Sequence, residues 1–473
     1  MTLPDARRAV LCAAAAALIG PVCEAQPAVA STSPAVVAFE DVTVVPMDGE
    51  RVLPNQTVVV RDGRIANVGA ARDANVPAGA LRVDGRGKFL LPGLAEMHAH
   101  VPPGTATEEA LRDIMFLYVA NGVTTIRGML GAPYQLALRD RLAKGEILGP
   151  TLYVGAPSLN GNSAPTADTA AKLVRAHKAA GYDLLKIHPG LTRPAYDAMV
   201  ATAREVGMTF AGHVPQEVGV RRALASRQST IDHLDGYLEG AMSDSAIARL
   251  RGGGTNFADF VRSIDAGLFA SLAQETKARG TWNVPTMFLW ESFFGPESPE
   301  AMAQRPEMRY VSRQAVEGWQ NQKRNRIRLD SANAATPELA ARYLALRRRM
   351  LKALADAGAL LLMGTDSPQM FNVPGFALHR ELQVMSQAGL TPYQVLESGT
   401  RNVARYAAED LKLDGAFGTV AVGNRADLVL LEANPLEGVE NVAKRAGVMV
   451  RGRWVPASEI EAGLAALVAR MER

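Results

Sequence analysis

The sequence predicts an α/β protein: a (β/α)8 TIM-type barrel joined to a small β-sandwich domain that both chain ends build. Three observations predict it. Short alternating strands broken by Asp-Gly turns fill residues 36–89, and a similar texture returns between residues 426 and 455. Between these stretches, eight apolar strand-like segments alternate with helical patterns, the order expected of a parallel sheet covered by helices. The ends of several of those segments carry His, Lys or Asp, where barrels of this kind keep their chemistry.

Taken from the start, the chain opens with Arg7 and Arg8, an apolar run from Ala9 to Ile19, and small residues ending at Cys23-Glu24-Ala25. That pattern reads as an export signal over residues 1–25, with a second possible cleavage site after Ala30. Its apolar run is shorter than the roughly 20 residues that a spanning helix needs. The expected location is periplasmic or secreted, with no stable membrane anchor. Both cysteines, Cys12 and Cys23, lie inside the signal, so the mature chain would have none. A chain of 473 residues, 48% hydrophobic and 21% charged, can bury a large core without disulfide staples. Its formal charge of +3, with no dense basic run interleaved with aromatics, argues against nucleic acid as a partner and for a small-molecule substrate.

Residues 36–90 and 412–458 are assigned to the composite β domain and residues 91–411 to the barrel. In the first, VVAFEDVTVV, QTVVVRDG and RIANVGA alternate in polarity, and Asp62-Gly63 is a strong hairpin signal. In the second, ADLVLLE and GVMVRGRWV carry the same texture. The barrel strands are expected in GLAEMHAH, VTTIRGML, TLYVGAPS, YDLLKIHP, MTFAGHVP, STIDHLDG, TWNVPTMF and ALLLMGTDS. Helices such as TAAKLVRAHKAAG and RPAYDAMVATAREVG show helical spacing and stop at Gly181 and Gly207. Two long connections, residues 241–280 and 291–358, are long enough to cover a site.

Chemistry concentrates first in His98 and His100. Two residues apart on a strand, they face one side and can reach one metal ion. Seven histidines in 473 residues give a chance count of His-x-His near 0.1 (about one in ten), so the pair calls for an explanation. Lys186, His213, His233 and Asp366 follow at later strand ends. A lysine or aspartate ending an apolar strand needs a partner or a use. His213 and His233 taken singly could be satisfied core histidines; their ordered occurrence with the others makes a metal-ligand set. His188 shares a strand face with Lys186 and is a candidate for substrate contact. Tyr237 either donates to a developing oxyanion or packs at the barrel rim. His177 is expected to be solvated, His379 to order the last barrel helix, and Arg347, Arg348 and Arg349 to form a solvated helix face.

This ordered set resembles the amidohydrolase superfamily, and GTVAVGNRADLVLLEANP, with Gly418, Gly423, Ala426 and Asp427, is similar to that family's return to its β domain. The motifs GVTTIRG, LLKIHPGL, GHVPQEVG, HLDGY and LHREL resemble the imidazolonepropionase-like and Xaa-Pro dipeptidase-like group. Gly128 departs from it, since many relatives carry an acid after the second-strand arginine. The resemblance implies two divalent ions, expected to be zinc, held by His98, His100, Lys186, His213, His233 and Asp366. It further implies that Lys186 is carboxylated by carbon dioxide to bridge them, that a bridging hydroxide attacks an amide carbon, and that Asp366 is the catalytic proton carrier. A dipeptide or N-acyl amino acid is the expected substrate. Alternatives are a hydrolase of cyclic amides, lactones or other esters, and a non-catalytic periplasmic binding protein.

Overall fold

A computed structural model describes residues 36–252, 256–332 and 335–472. The expected export signal falls outside them. β1 (Val36–Val44) pairs antiparallel with β2 (Leu53–Arg61), and β2 with β3 (Arg64–Ala70). Asp62 and Gly63, which join β2 to β3, have φ of 50° and 74°. Two left-handed residues are what a two-residue hairpin turn demands, and Asp-Gly meets that at low cost. β4 (Leu81–Asp84) and β5 (Phe89–Pro92) run parallel to β1.

The middle of the chain supplies eight parallel strands in two sheets. β6 (Leu94–Ala99), β7 (Val123–Gly128) and β8 (Thr151–Val154) form one. β9 (Leu185–Ile187), β10 (Phe210–Gly212), β11 (Thr230–Asp232), β12 (Trp282–Val284) and β13 (Leu360–Leu361) form the other. Each lies within its expected segment but is shorter, because the chain turns early at the ends: His233, Leu234 and Thr286 have φ of 62°, 52° and 45°. Thr286 opens a helix, Met287–Phe294, where the sequence suggested more strand. Backbone bonds continue past the sheet edges. Ala156 N donates to Leu184 O beside parallel bridges from Gly155 to Leu184 and Leu159 to Ile187, while Met97 N donates to Met363 O and His100 N to Ser367 O.

Helices connect these strands. Ala167–Ala180 begins where Thr166 accepts from Thr169 N and ends at Gly181, whose φ of 85° suits a residue without Cβ. The long connections are helical: Asp244–Arg251, Phe257–Arg262 and Phe269–Arg279 in the first, Pro299–Ala303, Arg313–Ala332 and Pro337–Ala357 in the second.

β14 (Leu428–Leu431) returns to pair antiparallel with β5, and is followed by β15 (Arg445–Val450) and β16 (Arg453–Pro456). The segment GVMVRGRWV is a hairpin turning at Arg451 and Gly452, with φ of 49° and 83°. One hydrogen-bonded sheet, in the order β16-β15-β14-β5-β1-β2-β3 with β4 beside β1, thus contains strands from both ends of the chain. Phe39, Val58, Leu90, Leu428 and Met449 pack together in its core, each fully buried. Each such side chain contributes about 1.5–3 kcal/mol relative to exposure. A closing helix, Ala457–Met471, buries Leu467 against Leu117 and Phe371.

Candidate metal centre

His98 lies in β6 and His100 just past it, with ring centroids 5.6 Å apart, as same-face residues should be. Lys186 is the middle residue of β9, and His213 and His233 follow directly on β10 and β11. Asp366 comes from the turn after β13, where its φ is 65°. Left-handed backbone at non-glycine residues costs of order 1–3 kcal/mol and gathers at functional sites. Here it occurs at His233, Thr286 and Asp366. Two glycines make the close approach possible. A Cβ on Gly364 would stand 2.5 Å from Val284 Cγ1 and 2.9 Å from His98 N; one on Gly212 would stand 2.6 Å from Ile187 O.

The six side chains converge. His100 Nε2 lies 2.5 Å from Asp366 Oδ1, His98 Nε2 lies 3.4 Å from the same oxygen, and Lys186 Nζ lies 3.2 Å from His98 Nε2. The His233 ring is 4.5 Å from both the His98 and His213 rings, and His188 stacks on His213 at 4.9 Å. Ligand atoms of His98, His233 and Asp366 all fall within 4.8 Å of one another.

Burial sets the charges. Desolvation drives His98 and His233 well below the usual imidazole value, so both are neutral and offer lone pairs. Lys186, 0% exposed, is lowered to about 8 by burial, against the pull of Asp232 and Asp366. His188 is lowered to about 3, again chiefly by burial.

A surrounding ring of residues holds the cluster. His233 Nδ1 lies 2.8 Å from Thr286 Oγ1, and His213 Nδ1 lies 2.7 Å from Asp235 Oδ2. Glu381 accepts from Met287 N and Phe288 N at 2.8 and 2.6 Å, anchoring the helix that Thr286 begins. Glu96 accepts from His98 N and Thr365 N. Arg127 reaches both oxygens of Asp232 at 3.3 Å, and burial, which would raise that carboxyl, is outweighed by Arg127 and Lys186. Asp232 Oδ2 is also 2.8 Å from His98 Nδ1, but off the ring N–H direction, so the contact is electrostatic and Nδ1 has no hydrogen bond.

Two expectations are corrected. Tyr237 does not point at the cluster: its hydroxyl donates to Asn283 Oδ1 at 2.6 Å and meets Thr276 Oγ1 at 3.0 Å, deep in the packing. Arg347 is not part of a solvated face. It is 2% exposed, donates to the carbonyl of His233 and lies 3.9 Å over the Trp290 ring. His379 bonds Arg445 away from the cluster, and His177 is half-buried against Tyr182. Gly128 packs where a Cβ would come 3.3 Å from Val101, leaving little room for the acid of other relatives. The sequence reading missed Asp232, Asp235, Thr286, Glu96 and Glu381. Asp232 had a signal: a carboxylate in the apolar strand Thr230–Asp232 needs a partner for the same reason as Asp366.

The amidohydrolase family model matches residues 89–455, well over half of the chain. The chain belongs to the amidohydrolase family. Members of that family typically use divalent metals. Adenine deaminase 3 of Rhizobium meliloti (strain 1021) is 27% identical over 224 residues, 43% of this chain and 35% of that protein, so the chain spans about a third of that relative's length. Among solved structures, bottromycin amidohydrolase is similar with a TM-score of 0.71 and 24% identity, over 93% of this chain and 91% of that one. A putative prolidase from Bifidobacterium longum has a TM-score of 0.63 and 23% identity, over 92% and 99%. At these identities both likenesses speak for the α/β amidohydrolase fold.

The donor set fits a metal. His233 Nε2 is buried without a hydrogen-bond partner, a state that costs about 1–3 kcal/mol unless another group supplies the partner. Neutral imidazoles and a carboxylate are suitable donors for zinc-like divalent ions.

Proposed function

We propose that this amidohydrolase-family member is an exported enzyme that cleaves the amide bond of a dipeptide or an N-acyl amino acid at a binuclear metal site bridged by a carboxylated Lys186. One observation carries the reading: a wholly buried lysine whose Nζ sits 3.2 Å from His98 Nε2 among neutral histidines and Asp366. A lowered amine value of about 8 leaves a usable neutral fraction near physiological pH. That amine adds carbon dioxide with loss of a proton, turning a cation into an anion able to bridge two ions. His98, His100, His213, His233, Asp366 and the carboxylated Lys186 would hold two divalent ions, expected to be zinc. When bound, the ions supply an acidified water and polarise the scissile carbonyl.

The chain's own groups do the rest. Asp366, its Oδ1 against His100 Nε2, takes the proton of the attacking water and delivers it to the leaving nitrogen. Thr286 and Asp235 fix the tautomers of His233 and His213 through their Nδ1 atoms. His188, half-buried beside His213, is in reach of substrate. The backbone bonds past both sheet edges support a closed (β/α)8 barrel, and the shared sheet around Phe39 and Leu428 is read as the small sandwich. A small-molecule substrate, no nucleic-acid partner and no stable membrane anchor complete the reading. No helix among the described residues is long and apolar enough to cross a membrane.

The test is hydrolysis of a library of dipeptides and N-acyl amino acids by protein purified with zinc and bicarbonate, alongside metal analysis. Two metals per chain and amide cleavage are expected. One metal with an unmodified Lys186 amine removes the binuclear site, and metal-replete protein that cleaves no amide removes the substrate class.

A further inference from the structure

Beside the cluster, the segments that follow β9, β10 and β11 line a half-open cavity of ≈ 520 Å³. Pro189, Val214, Val220, Ile247, Leu250 and Phe260 make most of its wall apolar. Asp235 forms part of the same wall, and its Oδ2 is the atom bonded to His213, so the cavity adjoins the metal centre. Its size is that of a small-molecule pocket, and its floor of valine, leucine and phenylalanine suits an aliphatic group.

Glu239, in the short helix Tyr237–Gly240, also lines this cavity. No described side chain forms an ion pair with it. The charge of Arg347, which also donates to the His233 carbonyl, offsets part of the cost of the Glu239 carboxylate, and Asp235 adds negative charge. Arg221, the cation among the residues that line the cavity, is half-exposed, donates to Gly240 O and faces Glu275 at 3.6 Å. Burial pushes the Glu239 carboxyl above its ordinary value, while hydrogen bonds from the Glu239 and Gly236 backbone act the other way, and the side chain keeps partial accessibility, as a group facing a half-open cavity does. A carboxylate in such surroundings is costly unless a cation meets it. Arg221 apart, which is turned to Gly240 and Glu275, the wall brings none.

We infer that this cavity is the subsite for an apolar residue bearing a free ammonium, and that Glu239 is the residue that selects it. The inference rests on the amide-hydrolase reading above and narrows it: an aminoacyl substrate with an unblocked amino terminus is preferred over its N-acylated counterpart. An ammonium provides Glu239 with a charge-assisted hydrogen bond, whereas a neutral acylamide leaves the carboxylate without a counter-ion. The aliphatic side chain displaces water from Val220, Leu250 and Phe260.

Binding is measured by calorimetry on the metal-replete full chain, with isoamylamine as the cationic probe and isoamyl alcohol as its neutral counterpart. Neither probe contains an amide, so the result does not depend on turnover. The amine is expected to bind at least about tenfold more tightly than the alcohol, a difference of about 1.4 kcal/mol, and Glu239→Gln, close in shape, is expected to abolish the preference. Equal affinities in the wild type, or a preference that survives Glu239→Gln, overturn the subsite. In a second arm, the ratio of kcat/KM for an apolar dipeptide to that for its N-acetyl form is expected to fall about tenfold or more in Glu239→Gln. An unchanged ratio also overturns it. If the wild type hydrolyses neither compound while the amine preference holds, the amide reading has failed and the cation subsite stands.

Discussion

Replacing Lys186 with methionine isolates the energetic consequence of burying an amine. Methionine keeps the length and most of the volume, and it removes the charge. In the folded chain the amine is lowered from 10.5 to about 8, burial being the main cause. Between those values the unfolded chain binds more protons than the folded one, so stability rises with pH across that window. Below about 8 the full penalty applies, and the shift corresponds to about 3 kcal/mol. Metal-stripped, bicarbonate-free wild type should therefore gain stability relative to Lys186→Met as pH rises, by about 1 kcal/mol between about pH 7 and about pH 9. The expected sign is opposite to that of a lysine in a stabilising ion pair. Urea unfolding of both proteins at the two pH values reads the effect directly. A difference that stays constant, or that moves against the wild type as pH rises, would refute the claim that Lys186 is buried without adequate compensation. The same measurement bears on the chemistry, because a lysine that is not depressed has little neutral amine to react with carbon dioxide.

Asp366→Asn should retain most of its metal, since an amide oxygen still coordinates, while kcat drops by roughly 10² or more; a metal-loaded variant turning over at the wild-type rate would leave Asp366 as a ligand only. Glu381→Ala strands the buried N–H groups of Met287 and Phe288, at about 1–3 kcal/mol each, so denaturant unfolding should show a loss of about 2–6 kcal/mol. Because the adjacent Thr286 holds His233 Nδ1, the variant should also lose metal faster on dialysis against chelator. Wild-type stability together with wild-type metal retention would contradict this account of the turn.

Local patterns were legible because their causes are local. The His98 and His100 spacing needs only the two-residue period of a strand, and the Asp62-Gly63 turn needs only the left-handed tolerance of its two residues. The eight parallel strands could be found from apolar runs ending in polar groups, but their lengths could not, because the chain turns early at His233 and Thr286. The C-terminal segment hid a second hairpin for a related reason: Arg451 is an uncommon residue to adopt a left-handed turn, and its conformation is held from outside, by Asp427 Oδ1 accepting from its N–H.

By itself the sequence determined which residue types reach the C-terminal ends of which strands, and with that the identity of the candidate ligands. Only the tertiary structure decided what surrounds them. Glu381 meets Met287 across 94 positions, Arg347 meets the carbonyl of His233 across 114, and Asp366 meets His100 across 266. Tyr237, four residues beyond a candidate ligand, turns instead toward Asn283. The physical reason is that strand periodicity fixes a side chain's direction only while the strand lasts. Past its end, direction is set by which distant segments pack there and by which buried polar groups must find partners.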